Sequence, residues 1–170
     1  MNFKSPQRKN QTLTPTAKRY WLLKSEPGVY SIDHLAKDKK TDWECVRNYQ
    51  ARNFMLRDMQ TGDEVLFYHS NAEPSGIAGL AKVNSGPKPD KTQFDKNSEY
   101  FDPKATQENP RWHCVEVSFV KKFASVITLD QLRKPKELAE MQVLKKGQRL
   151  SVQPVTEAEF RSILKISANS

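Results

Sequence analysis

Trp43-Glu44-Cys45-Val46-Arg47-Asn48-Tyr49-Gln50-Ala51-Arg52-Asn53 places two aromatic rings, two guanidinium groups and three amides in eleven residues with little aliphatic content. Rings stack on planar ligands, amides read hydrogen-bonding edges and guanidiniums meet anions, so the set suits a nucleobase held beside a phosphate. A tryptophan taken singly is more often core than platform. Here Asp42 and Glu44 flank Trp43 and only Cys45 and Val46 are apolar nearby, which favours binding. Arg47 fits the same reading, whereas Arg52, inside the following helix, is better explained by surface ion pairing.

Other groups with chemical potential are sparser. His69-Ser70 and Lys24-Ser25-Glu26 supply parts a hydrolase uses, although a strand-end turn accounts for the second set equally well. The sequence has no nucleophile elbow, paired-carboxylate pattern or glycine-rich phosphate loop. His34, His69 and His113 have no metal-ligand spacing with one another or with Cys45 and Cys114. No catalytic residue, metal or cofactor is expected. Phe94, Tyr100 and Phe101 are more readily staples of a long loop than ligand contacts.

These groups need elements to hold them. Tyr20-Trp21-Leu22-Leu23-Lys24 reads as a buried strand ended by Pro27-Gly28, and Ser31 as the N-cap of a short helix with Ile32 and Leu35 inward. Ala51, Phe54, Met55 and Met59 recur at helical spacing. Trp43 to Asn48 is therefore the loop into a helix, whose first turn offers free N–H groups. Val65 to Tyr68 is a central strand delivering His69 and Ser70 to its end. Gly76 to Val83 is the next strand, and Asn84 to Arg111 is an ordered loop carrying Pro87, Pro89, Pro103 and Pro110.

Alternation from Trp112 to Phe123 gives a long antiparallel strand with one wetter face. Capping boxes at Thr128 and Thr156 start two helices, separated by a weakly helical or irregular stretch, Leu138 to Leu144, and a strand at Arg149 to Val152. Strands interleaved with short helices indicate an α+β barrel and argue against a doubly wound sheet.

Composition sets the outer limits. The 170 residues suit one domain able to bury a core without staples. Hydrophobic residues make up 36% and charged residues 28%, and no apolar run approaches the ~20 residues of a membrane span. Residues 1–18 are polar and basic and read as a flexible tail, with the folded domain at 19–167. Of the net +8, Met1 to Arg19 supplies five charges without an acid, leaving +3 for the rest. A polyanionic partner agrees with this balance, and so does a solvated basic arm. Two cysteines without CxxC spacing fit a reducing compartment. With no apolar signal core at the start, the chain is expected inside the cell, cytoplasmic in a bacterium or nuclear in a eukaryote.

Five stretches, in this order, resemble the EVE domain family. They are Tyr20 to Pro27, Trp43 with Val46 to Asn53, Phe67-Tyr68-His69-Ser70, Tyr100-Phe101-Asp102-Pro103, and Arg149-Leu150-Ser151-Val152-Gln153-Pro154. The similarity spans about Arg19 to Ile166. It implies a PUA-like mixed β-barrel with short flanking helices, related to the YTH domains that read methylated adenine in RNA. It also implies recognition of modified bases, particularly modified cytosine in DNA.

Carried over by that resemblance, Trp43 is one wall of an aromatic cage. Arg47, Asn48 and Tyr49 line the same pocket, Lys24 and Ser25 sit at its floor or rim, and His69 and Ser70 lie opposite. The family commonly has glycine where this chain has Cys45. The expected function is a non-catalytic reader of a modified base, acting as a monomer on nucleic acid, DNA ahead of RNA, with no membrane partner. An RNA-directed hydrolase or modification enzyme using Lys24, His69 or Ser70, and a small nucleoside or metabolite sensor, are the alternatives.

Overall fold

The computed structural model describes residues 17–170, so the reading of 1–18 as a flexible tail falls almost wholly outside the described residues. Six strands form one sheet: β1 Tyr20–Ser25, β2 Lys40–Asp42, β3 Glu64–His69, β4 Gly76–Pro89, β5 His113–Thr128 and β6 Val152–Val155. Their order is β2-β5-β4-β3-β1-β6, with β1 and β3 parallel and the remaining pairs antiparallel. Four helices accompany them: α1 Ile32–Asp38, α2 Tyr49–Asn53, α3 Leu129–Leu132 and α4 Glu157–Ala168.

The α+β class and mixed sheet agree with the sequence reading. The sheet is not a closed barrel, because β2 pairs only with β5 and β6 only with β1 among the described residues. Register shifts along the β4–β5 pair and between Phe67 and Tyr68 in β3 relieve the ladder and let these strands bend.

Both faces of the sheet are covered, which is why β1 and β3 are continuous apolar runs rather than alternating ones. Trp21, Leu23, Val65 and Phe67 pack with Ile32, Leu35, Ala51 and Met55 on the face under α1 and α2. Leu22, Leu66 and Tyr68 turn the other way, onto Leu132, Leu138, Phe160 and Ile163 under α3 and α4. Ser31, Thr128 and Thr156 each close a capping box. In the first, the N3 partner is His34, whose Nδ1 accepts the Ser31 N–H at 2.9 Å.

Three elements differ from expectation. The last strand lies at Val152–Val155 instead of Arg149 to Val152. Pro154 is tolerated there because β6 is an edge strand with one neighbour. Strand β4 runs on to Pro89, past Lys82, the last residue paired with β3, so Pro87 and Pro89 fall where β4 has only β5 beside it. The polar run after α1 contains β2, three residues long and without an aliphatic side chain.

Candidate functional site

Residues at or beside both edges of the sheet line one cavity. Thr41 and Asp42 of edge strand β2, and Ser151 just ahead of edge strand β6, line a single cavity of about 460 Å³. Lys24 and Ser25 at the end of β1 complete that side, and the Lys24 backbone N–H donates to the Ser151 carbonyl at 2.9 Å. The opposite wall is the loop Trp43 to Asn48, anchored where the Trp43 N–H donates to the Val115 carbonyl at 2.8 Å. Tyr30 and Tyr100 add rings. Lined from beside both edges of the open sheet, this hollow is called the seam cavity.

Trp43 is 8% exposed and sits edge-on to Phe67, centroids 5.6 Å apart at 87°. It is thus both core and cavity wall. The other two tryptophans spend their indole N–H groups on carboxylates: Trp21 on Asp63 at 2.9 Å and Trp112 on Asp102 at 2.8 Å. Among the described residues, none accepts from the Trp43 indole.

Arg47 borders the cavity, yet all five of its N–H donors are committed within the protein. They go to the Tyr100 carbonyl from Nε (3.1 Å) and Nη2 (2.7 Å), to Thr92 Oγ1 (2.8 Å), to Asp90 Oδ2 (2.9 Å) and to the Val46 carbonyl (3.3 Å). Asp90, 1% exposed, is the hub of this clamp. Its Oδ2 also takes the Cys45 N–H at 2.8 Å, and Oδ1 takes the Thr92 N–H at 2.8 Å and the Thr92 hydroxyl at 2.5 Å. Burial drives the Asp90 pKa up, but the hydrogen bonds from Thr92, Arg47 and Cys45 outweigh it, and the net shift is down. Cys45 itself has φ +68°, a left-handed conformation suited to glycine.

Asn48 lines the cavity while its Oδ1 caps α2 by accepting the Ala51 N–H at 3.0 Å. Tyr49 does not line it. Its ring, 49% exposed, stacks on Trp112 at 4.9 Å and 26°, its hydroxyl takes a hydrogen bond from Arg111, and the Arg52 guanidinium lies 4.7 Å from its centroid. Arg52 is held by the Arg111 carbonyl at 2.9 Å and Asn53 Oδ1 at 2.7 Å, in place of the acidic partner expected.

His69 and Ser70 also stand apart from the cavity. The buried His69 accepts the Ile32 N–H through Nε2 at 3.1 Å, supporting the start of α1, and desolvation lowers its pKa. Ser70 borders a second groove, which Lys24 shares. Burial lowers the Lys24 pKa, and its Nζ donates to the Gln148 carbonyl at 3.1 Å while lying 5.8 Å from the Tyr68 ring centre. Of the eight residues expected to bind, Trp43, Arg47, Asn48, Lys24 and Ser25 therefore share the cavity, while Tyr49, His69 and Ser70 do not.

Sequence reasoning missed Tyr30, Thr41, Asp42, Glu44, Tyr100 and Ser151 as cavity residues. Asp42 and Glu44 were visible as the acidic flanks of Trp43. Asp90 announces itself only through Asp-x-Thr, whose side chain folds back on the Thr92 N–H. Burial pushes the Glu44 carboxyl above its ordinary range, with Asp90 and Asp42 adding to the rise. Lys88 lies 2.5 Å from Asp42 Oδ1. The cavity thus offers an aromatic wall, hydroxyls and carboxylate acceptors, with its one arginine spent.

The chain is similar to known proteins over most of its length. The family model described as the EVE domain matches residues 19–166. Human thymocyte nuclear protein 1 is 42% identical over 165 residues, spanning 86% of this chain and 73% of that protein. A hypothetical protein from Leishmania major superposes with a TM-score of 0.85 at 50% identity, covering 90% of this chain and 96% of that one. The structure of human THYN1 protein in complex with 5-methylcytosine containing DNA superposes with a TM-score of 0.79 at 43% identity, covering 88% and 98%. No helix among the described residues is long and apolar enough to cross a membrane.

Proposed function

The chain belongs to the EVE domain family, and from that premise we propose that it is a non-catalytic reader of DNA that takes a modified cytosine out of its stack into the seam cavity. The observation that carries this reading is Trp43, a cavity-wall ring whose indole N–H, alone among the three tryptophans, goes to no acceptor in the described protein. The human relative solved with 5-methylcytosine containing DNA supports this ligand class. At about 460 Å³ the cavity falls within the ~300–1,000 Å³ of small-ligand sites.

In this reading Trp43 stacks on or abuts the flipped base, and the apolar 5-substituent fills space that an unmodified base leaves vacant. Asp42 and Glu44 supply acceptors for the exocyclic amine that distinguishes cytosine from thymine. Ser25, Asn48 and Lys24 hold the remaining polar edge. Arg47 serves the site as a clamp that fixes the loop, since it has no donor left for a ligand. Tyr49, His69 and Ser70 act outside the base cavity.

Stacking is worth ~1–3 kcal/mol per base, against a cost of about the same size for extrusion. Duplexes carrying one 5-methylcytosine or none, titrated against wild type and Trp43→Ala, test the reading. The wild type should favour the methylated duplex by about tenfold, equivalent to ~1.4 kcal/mol, and the variant should bind both alike. Equal affinity of the wild type for both duplexes overturns it.

A further inference from the structure

A base cavity lined by Asp42 and Glu44, whose arginine is fully committed, has little with which to meet a phosphate. The cationic surface lies next door. A groove of about 540 Å³ is bordered by Lys24, Arg133, Lys145, Lys146 and Arg149, and no carboxylate lines it. Apart from Arg133, paired with the exposed Asp130 at 3.1 Å, none of these five makes an ion pair among the described residues. The chain beyond Arg19 carries a net charge of only +3, so five cations on one groove are a strong local concentration.

We propose that this groove is the track for the sugar-phosphate backbone of the strand whose base enters the seam cavity, with Lys24 as the ridge between the two. Four features support the placement. Lys24 borders both hollows. Its Nζ holds the carbonyl of Gln148 at 3.1 Å, fixing the turn that presents Lys145, Lys146 and Arg149 against the end of β1. That turn contains Gly147 at φ +74°, a conformation that keeps the cations on one tight bend. Ser70, expected to bind yet absent from the base cavity, is a hydroxyl donor on this groove.

The inference rests on the DNA-reader reading above, and the experiment separates the two. Lys145→Gln, Lys146→Gln and Arg149→Gln are combined in the full chain, and duplex affinity is measured across salt concentrations for methylated and unmethylated DNA. A control carries Lys37→Gln, Lys104→Gln and Lys165→Gln, equally exposed positions away from the groove. All six side chains are exposed, so both proteins fold. If the groove tracks the backbone, the first variant loses about 2–3 from the slope of log K against log salt, since each phosphate contact contributes ~0.9. It should lose affinity equally for both duplexes, and the control should not. An unchanged slope, or an equal loss in the control, overturns the inference. A wild type blind to methylation whose slope still falls in the groove variant would overturn the base-reading proposal and leave the groove standing.

Discussion

Two aromatic clusters arise from the same stretch of chain and have Arg47 as a common neighbour, yet one is hollow and the other full. Around Tyr49 and Trp112 the rings are stacked, cations from Arg52 and Arg47 lie against their faces, and Asp102 takes the indole N–H. Around Trp43 a cavity remains, and the indole N–H has no acceptor among the described residues. Aromatic and cationic residue types therefore do not by themselves mark a ligand site. What distinguishes a site is whether the protein has already supplied the partners, because a satisfied cluster has nothing to gain from a ligand.

The largest way to break this contrast is to remove the wall between the clusters. Arg47→Ala strands the buried Asp90 carboxylate and should cost about 3 kcal/mol of stability, read by urea unfolding. The pH dependence follows from the lowered Asp90 pKa. Its contribution is present above the ordinary value near 3.8 and is lost as pH falls through the lower folded value. Unfolding curves below pH 4 should therefore lose less stability in Arg47→Ala than in wild type.

Next in size, Trp43→Phe keeps most of the packing on Phe67 but removes the indole N–H. It should cut methylated-duplex affinity about fivefold, near 1 kcal/mol, with a smaller change for the unmethylated duplex. Tyr49→Ala should do the converse: about 1 kcal/mol of stability lost with its stacking on Trp112, and the preference for methylation retained. Loss of that preference in Tyr49→Ala would erase the distinction between the clusters. The smallest effect is Cys45→Gly, which relieves a left-handed backbone and should raise stability by about 0.5–1 kcal/mol, seen as a higher melting temperature.

The same contrast explains what was legible in the sequence. Strands β1 and β3 were readable because burial on both faces leaves uninterrupted apolar runs. The helix starts at Thr128 and Thr156 were readable because a capping box is written within four residues. Strand β2 was not, since a short polar edge has no hydrophobic signal, and β6 was displaced by Pro154. Within Trp43 to Asn53, residue types suggested one binding set from Trp43 to Tyr49. The division into a hollow and a filled half depends on Asp90, Tyr100, Arg111 and Trp112, which lie 43 or more residues from the side chains they contact. No local pattern carries that information.

The unclosed sheet has a mechanical consequence. Backbone pairing is absent between Lys40–Asp42 and Val152–Val155, so these two edges are free to part without breaking a ladder. A base in the cavity would touch Thr41 and Asp42 of the one edge and Ser151, just ahead of the other, more than 100 residues apart in sequence. Occupancy should then slow amide hydrogen exchange in both edges together.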